Sequence, residues 1–305
     1  MTPTQLRALA AVARRRSVHL AAEDLVVSQP AISAAVNALE KELGVELLAR
    51  EGRGVVVTPA GSTLASYAER LLGLWDDAKR ATQEAADPGR STLRLAAVTS
   101  AGEQVVPPDL ASFNRLHPMT AVVLEVGNRS RVWELLANYG VDLAVGGRPP
   151  VGTSLRTVAT APNELIVVCA GSGRKRGPKR VGPEAMDHRT WLVREEGSGT
   201  RSTTEELFSA LGIDPRRLTI SSNAAIREAA MAGIGLALLA RVAVERELEE
   251  GSLEEWRAGP LPLQRVWHLV VREGERLAPA PLRFCEHLAR PGSLWSFSPE
   301  EDSRA

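Results

Sequence analysis

The chain has 305 residues, 44% of them hydrophobic and 24% charged, which suits two or three folded units and excludes a disordered or fibrous protein. Lysine plus arginine number 37, as do aspartate plus glutamate, so no excess of positive charge marks a nucleic-acid binder. Cys169 and Cys285 form no CxxC pair, and no apolar run reaches a secretory core or the roughly 18 residues of a membrane span; we therefore expect a soluble, cytoplasmic protein without metal, cofactor or membrane partner.

Residues 4–86 have an almost purely helical pattern, beginning with three short helices over 4–14, 18–25 and 29–42. Ser28 can cap the third helix, and Pro30 stands in its first turn, where a missing N–H costs nothing. An apolar stripe along this helix is formed by Ile32, Val36, Leu39 and Leu43. Its opposite face carries short polar groups suited to base edges and phosphates, namely Gln29, Ser33 and Asn37. Both a helix-turn-helix and a plain three-helix bundle fit this pattern.

A small hairpin follows, with strands over 47–49 and 55–57 joined by Glu51-Gly52-Arg53-Gly54, whose glycines permit positive φ. Such a wing would present Arg50 and Arg53 to a nucleic-acid backbone.

Thr58-Pro59 starts a long helix whose apolar residues alternate at spacings of three and four. This seam consists of Leu64, Tyr67, Leu71, Leu74, Ala78, Ala81 and Ala85. It runs through about 28 residues, and so long a helix with one apolar face needs a partner. A second copy of the chain is the simplest one, and a symmetric dimer would place two recognition helices on successive half-sites of a duplex.

The segment SQPAISAAVNALEKELGVELLAREGRGVVVTPAG, residues 28–61, resembles the DNA-binding domain of LysR-type transcriptional regulators. The matching elements are SQPAIS, LEKELG, the wing arginine and TPAG, in this order and spacing. Leu48 stands where most members have Phe, and Ala34-Ala35 stands where many have Arg-Gln. The resemblance implies DNA contacts by Ser28, Gln29, Pro30, Ser33 and Asn37, with Arg50 and Arg53 on phosphates or in the minor groove. Residues 1–58 hold seven basic and six acidic residues, so we expect weak non-specific binding.

After the polar stretch 87–91 the pattern changes to apolar runs alternating with helical periodicity, which is typical of an α/β sheet. The strand candidates are residues 93–98, 121–126, 141–145, 165–169, 234–239 and 266–271. Two small α/β lobes with a cleft between them fit this length, and ligands of such sheets bind at the carboxyl ends of strands. The Gly/Lys/Arg-rich run 171–182 is interpreted as a solvated surface loop in preference to an anion site.

Three predicted strand-to-helix junctions point into the cleft. Thr99-Ser100 ends the first strand before a helix starting at Pro107, and Ser222-Asn223 precedes a helix over 224–232. The third junction, Gly197-Ser198-Gly199-Thr200, precedes a helix over 201–211, whose free N–H groups could cradle an anion with help from Arg201. Simple N-capping and an anion or carboxylate site both fit these junctions.

This half also resembles the co-inducer domain of the same family, most closely the branch of Rubisco-operon and sulfur-assimilation regulators, through VTSAGEQVVPPDLASF, GNRSRVWELLANYGVDLAVGG and WLVREEGSGTRSTTEELF. The resemblance implies effector contacts by Thr99, Ser100, Gly146, Gly147, Arg148, Ser198, Gly199, Thr200 and Asn223. Members of this branch often have Thr where Asn223 stands. Their effectors are small phosphorylated, sulfur-containing or nucleotide metabolites. The family also implies a tetramer made of two dimers, an interrupted palindromic operator on double-stranded DNA, and RNA polymerase as a further partner.

The expected fold class is α plus α/β, with a bilobed effector-binding domain like that of periplasmic binding proteins. The expected parts are a winged helix-turn-helix (1–58), a linker and dimerisation helix with a hinge (59–92), an effector-binding domain (93–290; lobe one 93–161 and 267–290, lobe two 162–266) and a tail (291–305).

The expected function is therefore sequence-specific transcription regulation under the control of a small, anionic metabolite. No G-x-S-x-G, Walker, dinucleotide-binding or H-E-x-x-H motif occurs, and the five histidines are scattered, so an enzyme is not expected. A small-molecule binding protein, or an α/β enzyme with an unrelated helical N-terminal domain, stays open as the alternative.

Overall fold

The computed structural model describes residues 1–51, 54–87 and 91–297. The chain divides into two compact units, Met1–Pro88 with Ala137–Gly140, and Gly89–Leu136 with Val141–Ala305. Helices make up most of the first unit and a mixed sheet flanked by helices makes up the second, so the expected α plus α/β class is confirmed. Among the described helices, none is long and apolar enough to cross a membrane.

The first unit is a helical core with a two-stranded wing. Its elements are α1 (Pro3–Arg15), α2 (Val18–Leu25), α3 (Gln29–Leu43), β1 (Leu48–Glu51), β2 (Gly54–Val57) and α4 (Pro59–Ala86). Ile32, Val36 and Leu39 of the predicted stripe are buried in the core, whereas Leu43 at the end of α3 is 42% exposed. The predicted hairpin is present as an antiparallel pair. Gly52 and Arg53 of its turn lie outside the described residues.

Side-chain caps start the helices of this unit. The Ser28 hydroxyl accepts a hydrogen bond from the backbone N–H of Ala31 (3.3 Å), as its position before Pro30 predicted. The Thr58 hydroxyl accepts from the N–H of Gly61 (3.0 Å) and donates to the carbonyl of Glu46 (2.8 Å), which ties the start of α4 to the wing. A Cβ at Gly61 would lie 2.0 Å from the carbonyl oxygen of Leu47, so only glycine permits this close approach.

The second unit is built on one sheet with the strand order β4-β3-β5-β12-β6-β10-β8-β9. Its strands are β3 (Thr92–Val98), β4 (Ala121–Gly127), β5 (Leu143–Gly146), β6 (Leu155–Ala170), β7 (Lys179–Arg180), β8 (Trp191–Val193), β9 (Arg217–Thr219), β10 (Leu236–Ala240), β11 (Leu253–Arg257), β12 (Leu263–Arg272) and β13 (Ser296–Phe297). Its helices are α5 (Thr99–Gln104), α6 (Val106–Leu116), α7 (Arg129–Ala137), α8 (Pro183–Asp187), α9 (Gly199–Leu211), α10 (Asn223–Met231), α11 (Glu245–Glu250) and α12 (Pro279–Leu288), with a 3₁₀ turn at Arg241–Ala243.

Four hydrophobic clusters of described residues lie along this sheet, two in each of the parts that we call the first and second lobes. The larger cluster of the first lobe includes Phe113, Leu143 and Phe284, and that of the second includes Trp191 and Phe208. Strands β6 and β12 pair antiparallel from Leu263–Leu165 to Arg272–Leu155 and contribute residues to clusters of both lobes. They therefore form the two connections between the lobes.

Several sequence expectations differ from this arrangement. Strand β6 begins at residue 155 rather than 165, because its first half is rich in threonine and polar positions that do not form an apolar run. Strands β8, β9 and β11 were not predicted; each has five residues or fewer. A separate helix, α5, occupies the junction at Thr99-Ser100 ahead of the expected helix near Pro107, with a break at Val105.

The turn between α2 and α3 contains a strained residue. Val26 has φ 55° and is 90% exposed. A β-branched residue therefore adopts the left-handed region here, and its side chain makes few packing contacts that would offset the strain.

Asparagine tolerates the left-handed region better than valine. We therefore expect Val26→Asn to raise the free energy of unfolding by about 1 kcal/mol, as measured by urea denaturation of the full chain followed by circular dichroism. Val27→Asn, one residue along and outside the left-handed region, is the control and should give no gain; an equal gain would contradict the strain at Val26.

Candidate functional sites

The polar face predicted for α3 is exposed in the structure. All five residues of this face are accessible: Ser28, Gln29, Pro30, Ser33 and Asn37. Gln29, Ser33 and Asn37 are spaced by four residues on one side of the helix, opposite the buried stripe. The Gln29 amide nitrogen lies 3.1 Å from His19 Nδ1, a contact with α2 that the sequence pattern did not reveal. Arg50 on β1 is exposed as well, and Arg53 lies outside the described residues.

The basic end of α1 lies close to acidic residues of α2. Arg15 makes a bidentate pair with Asp24, at 2.7 Å for both contacts, and this hydrogen bonding holds the pKa of the Asp24 carboxyl below its ordinary value. The charge of Arg15 is thus balanced within the unit. This pair therefore adds little net positive charge to the unit.

Helix α4 has two unlike faces. Ala65 and Ala68 are buried in the core of the first unit. On another face three residues of the predicted seam, Tyr67, Leu71 and Leu74, are 58%, 48% and 45% exposed. Trp75 beside them is 51% exposed and was missed, because the predicted seam runs through Leu74, although Trp75 also lies four residues after Leu71. Large apolar side chains at this density on one helix face mark an interaction surface.

The second unit contains a cleft of about 1000 Å³ lined by residues of both lobes. Eight of the nine residues implied by the family resemblance line it: Thr99, Ser100, Gly147, Arg148, Ser198, Gly199, Thr200 and Asn223. The ninth, Gly146, does not. It is buried at the end of β5, where an added Cβ would lie 3.0 Å from the indole of Trp133, so its role is close packing.

Arg201, which was expected to assist an anion at the start of α9, makes its contacts within the protein. Its Nε pairs with Glu205 at 2.7 Å and its Nη1 donates to the carbonyl of Arg194 at 3.1 Å. The hydroxyl of Ser198, the N-cap residue of α9, makes no capping hydrogen bond. The first N–H groups of α9, at Gly199 and Thr200, thus face the cleft without the side-chain partner that a cap would provide.

A buried arginine organises the second-lobe wall of the cleft. Arg194 is 5% exposed and donates two hydrogen bonds to the Glu195 carboxylate, at 2.8 and 2.9 Å. A third goes from its Nη1 to Oδ1 of Asn223 at 2.7 Å. The same pairing lowers the pKa of the Glu195 carboxyl. Because the side-chain oxygen of Asn223 accepts this hydrogen bond, the side-chain amide nitrogen is the group that Asn223 can offer to a ligand as a donor.

The first-lobe wall carries positive charge that the protein does not balance. Arg129 donates from Nη2 to the carbonyl of Arg148 at 2.9 Å, which brings the two residues together at the cleft. Within the part of the chain that the structure describes, no carboxylate lies within 4.0 Å of either guanidinium. By contrast, Arg265 in the same cleft pairs with Glu206 at 2.7 Å.

His268, which also lines the cleft, lies 3.1 Å from the Thr157 hydroxyl through Nδ1. Burial, and secondarily the charge of Arg148, lower the pKa of His268, so a neutral imidazole is favoured there. Arg129, Arg194 and His268 were all missed from the sequence. The junction Gly127-Asn128-Arg129 carried a usable signal, because Asn128 caps α7 just after β4, as Ser222 caps α10 (Asn128 Oδ1 accepts from Arg131 N–H at 2.9 Å).

A serine–histidine contact lies outside the cleft, between α6 and α12. Ser112 Oγ is 2.6 Å from His287 Nε2, but the same hydroxyl donates to the carbonyl of Asp109 at 2.9 Å. His287 is 8% exposed, and burial lowers its pKa. Burial also raises the pKa of the Cys169 thiol to about 12, which removes it as a nucleophile. These groups therefore form no accessible catalytic site.

Comparisons with known proteins match both units. A family model described as the bacterial regulatory helix-turn-helix protein, lysR family, matches residues 3–62, and one described as the LysR substrate binding domain matches residues 86–291. The RuBisCO operon transcriptional regulator of Allochromatium vinosum is 34% identical over 283 residues, which cover 92% of this chain and 93% of that protein.

Two solved structures share the fold. Full-length CbnR complexed with its target DNA matches with a TM-score of 0.64 and 24% identity, covering 94% of this chain and 98% of that one. The regulatory domain of Synechocystis PCC6803 CcmR in complex with 2-PG matches with a TM-score of 0.58 and 26% identity, covering 65% of this chain and 95% of that one.

Proposed function

The chain belongs to the LysR family of bacterial transcriptional regulators, and on that premise we propose which residues of each unit carry DNA binding and which carry effector binding. The protein is a DNA-binding transcription regulator with a helix-turn-helix domain and an effector-binding domain, and it is not an enzyme. We further propose that it works in the cytoplasm, at an interrupted palindrome, with RNA polymerase as a partner of the bound complex.

DNA reading is assigned to the exposed face of α3 and to the wing. Gln29, Ser33 and Asn37 project short polar side chains from one side of a helix that can enter a major groove. Ser28 and Pro30 lie at the start of α3, where a phosphate would meet the positive end of the helix. Arg50, with Arg53 of the wing, would contact the neighbouring backbone. What supports the assignment is that every described member of the set is accessible while the opposite stripe is buried.

We expect the double variant Ser33→Ala/Arg50→Ala to bind DNA at least tenfold more weakly, because one base-edge contact and one charged phosphate contact are lost. The probe is a duplex that the wild-type protein selects from a random-sequence library, titrated by fluorescence anisotropy at fixed salt. The matched control, Ser209→Ala/Arg216→Ala, removes an exposed serine and an exposed arginine of the other unit and should keep wild-type affinity. Unchanged affinity of the first variant would overturn the reading face.

Self-association is assigned to the apolar face of α4. Tyr67, Leu71 and Leu74, with Trp75, expose a continuous apolar surface on a helix of 28 residues. A second copy of the same helix is complementary to it in length and chemistry, and a two-fold dimer would match a palindromic operator. A dimer of such dimers, as the family resemblance implies, is proposed on the same footing.

We expect Leu71→Glu to weaken the dimer at least tenfold, because the symmetric contact would bury two carboxylates without partners. Sedimentation equilibrium at micromolar concentrations gives the mass directly. Leu294→Glu is the matched control, since Leu294 is 65% exposed and lies on the other unit, and it should leave the mass unchanged. A wild-type mass for Leu71→Glu would contradict the assignment to α4.

Effector binding is assigned to the cleft, and the single observation that carries it is the unbalanced charge of Arg129 and Arg148 at one wall. The opposite wall offers the N–H groups of Gly199 and Thr200 at the start of a 13-residue helix. Both walls therefore suit an anion, and a ligand that spans them would favour closure of the lobes. The relative solved with 2-PG bound supports a small anionic metabolite as the ligand class. Thr99, Ser100, Gly147, Ser198 and Asn223 complete the proposed contacts.

Thermal unfolding against a metabolite panel tests this site. The panel contains 2-PG, sugar bisphosphates, phosphoenolpyruvate, NADPH, sulfate, thiosulfate and O-acetylserine. A ligand at 100 times its Kd adds about 2.7 kcal/mol, and roughly 2–4 °C per kcal/mol is expected for a domain of this size. We expect at least one anion to raise Tm in the wild type and not in Thr200→Val or Arg148→Gln.

Arg115→Gln, at an exposed arginine away from the cleft, should keep the full response. A Tm shift that persists in Thr200→Val and Arg148→Gln would show that the ligand binds elsewhere.

A further inference from the structure

The second lobe carries an exposed basic loop, residues 171–182, that the functions above do not use. Its five cations are Arg174, Lys175, Arg176, Lys179 and Arg180, and it contains no acidic residue. All residues from 172 to 180 are exposed. This is a dense run of one sign of charge in a chain whose net charge is zero.

The loop is anchored at both ends. The N–H groups of Gly171 and Gly173 donate to the carbonyls of Ser252 and Gly251, at 2.8 and 2.9 Å. At the other end β7 pairs in parallel with β11, and the N–H of Val181 donates to the carbonyl of Arg257 at 3.0 Å. These hydrogen bonds fix the position of both ends of the loop on the second lobe.

The positive charge of the loop is left almost unpaired. Lys175 lies 4.0 Å from Glu249, and both side chains are well exposed, so this pair neutralises little. Lys179 stacks its ammonium 5.0 Å from the Trp256 ring. Among the described residues, no carboxylate lies within 4.0 Å of Arg174, Arg176 or Arg180.

Several other arginines of the same unit, by contrast, have a carboxylate partner. Arg194, Arg217, Arg241, Arg257 and Arg272 each pair with a nearby carboxylate. Like charges left unpaired on one exposed loop repel each other, and an external polyanion relieves that repulsion.

We propose that the basic loop is a second DNA-binding surface, which contacts the phosphate backbone outside the sequence read by α3. The proposal rests on the DNA binding described above. Residues 1–58 hold seven basic and six acidic residues, so their net charge adds little to the attraction between the protein and a duplex. The loop offers no exposed aromatic or large aliphatic side chain of the kind that anchors protein partners, whereas phosphates need only cations.

The salt dependence of DNA binding tests the proposal. The full-length variant Arg174→Gln/Lys175→Gln/Arg176→Gln/Arg180→Gln keeps Lys179 on Trp256 and removes four charges from exposed positions. Binding to a random-sequence duplex of about 60 base pairs is measured by anisotropy between about 50 and 200 mM salt. Because each lost phosphate contact changes the slope of log K against log salt by about 0.9, we expect the slope to shrink by about 2–4.

Two further variants separate local contact from net charge. Arg216→Gln/Arg246→Gln/Arg276→Gln/Arg290→Gln removes the same number of charges from other exposed sites, and its slope should change by less than about 1. Arg174→Lys/Arg176→Lys/Arg180→Lys keeps the charge and should keep the wild-type slope, with Tm checking the fold of each variant.

A wild-type slope in the loop variant, or an equal loss in the charge-matched control, would overturn the proposal. With an unchanged slope, an acidic protein surface would replace DNA as the expected partner of the loop. Absence of DNA binding by the wild-type protein is a separate result, which would overturn the DNA-binding function itself and not the loop alone.

Discussion

The effector-binding unit depends on the pairing of β6 with β12. These two strands run antiparallel through ten register pairs, with one irregularity between Leu269 and Val270, and each contributes residues to hydrophobic clusters of both lobes. Because both lobes share this pair of strands, the pairing sets where the cleft between them lies. The two strands also line the cleft themselves, at Asn163 and His268 among others.

Charge in this unit follows a consistent pattern. Where a guanidinium is buried, as at Arg194, carboxylate and amide oxygens accept its hydrogen bonds. An unpaired buried charge would destabilise the fold by roughly 3–5 kcal/mol. Positive charge is left unbalanced at the cleft, in Arg129 and Arg148, and on the basic loop. At these two places several cations lie close together, so we assign a small anion to the first and a polyanion to the second. The net charge of the whole chain, which is zero, gives no sign of these local excesses of positive charge.

Helix α4 of the helical unit has two faces of unlike composition. Its alanine face, at Ala65 and Ala68, packs in the core of its own unit, and Gly61 allows close approach to the carbonyl oxygen of Leu47. The bulky face at Tyr67 and Leu71 is exposed. Small residues on one side and large ones on the other therefore separate the packing contacts of the helix from the surface to which we assign self-association.

The sequence by itself determined what depends on short-range chemistry. The cap at Ser28, the 3–4 spacing along α4 and the small polar residues at strand-to-helix junctions each involve neighbours a few residues apart, so their pattern is legible in one dimension. Eight of the nine effector residues implied by the family resemblance line the cleft, and six of the eight, at positions 99, 100, 198, 199, 200 and 223, belong to the junctions that the residue pattern also indicated.

Only the tertiary structure decided what depends on partners distant in sequence. Gly146 packs behind Trp133 instead of lining the cleft, and Arg194 reaches Asn223 across 29 residues of chain. The unbalanced charge of Arg129 becomes visible once its carbonyl partner at Arg148 and the lack of a nearby carboxylate among the described residues are known. A single sequence records residue types along the chain, whereas burial and charge balance are set by which side chains the fold brings within a few ångströms of each other.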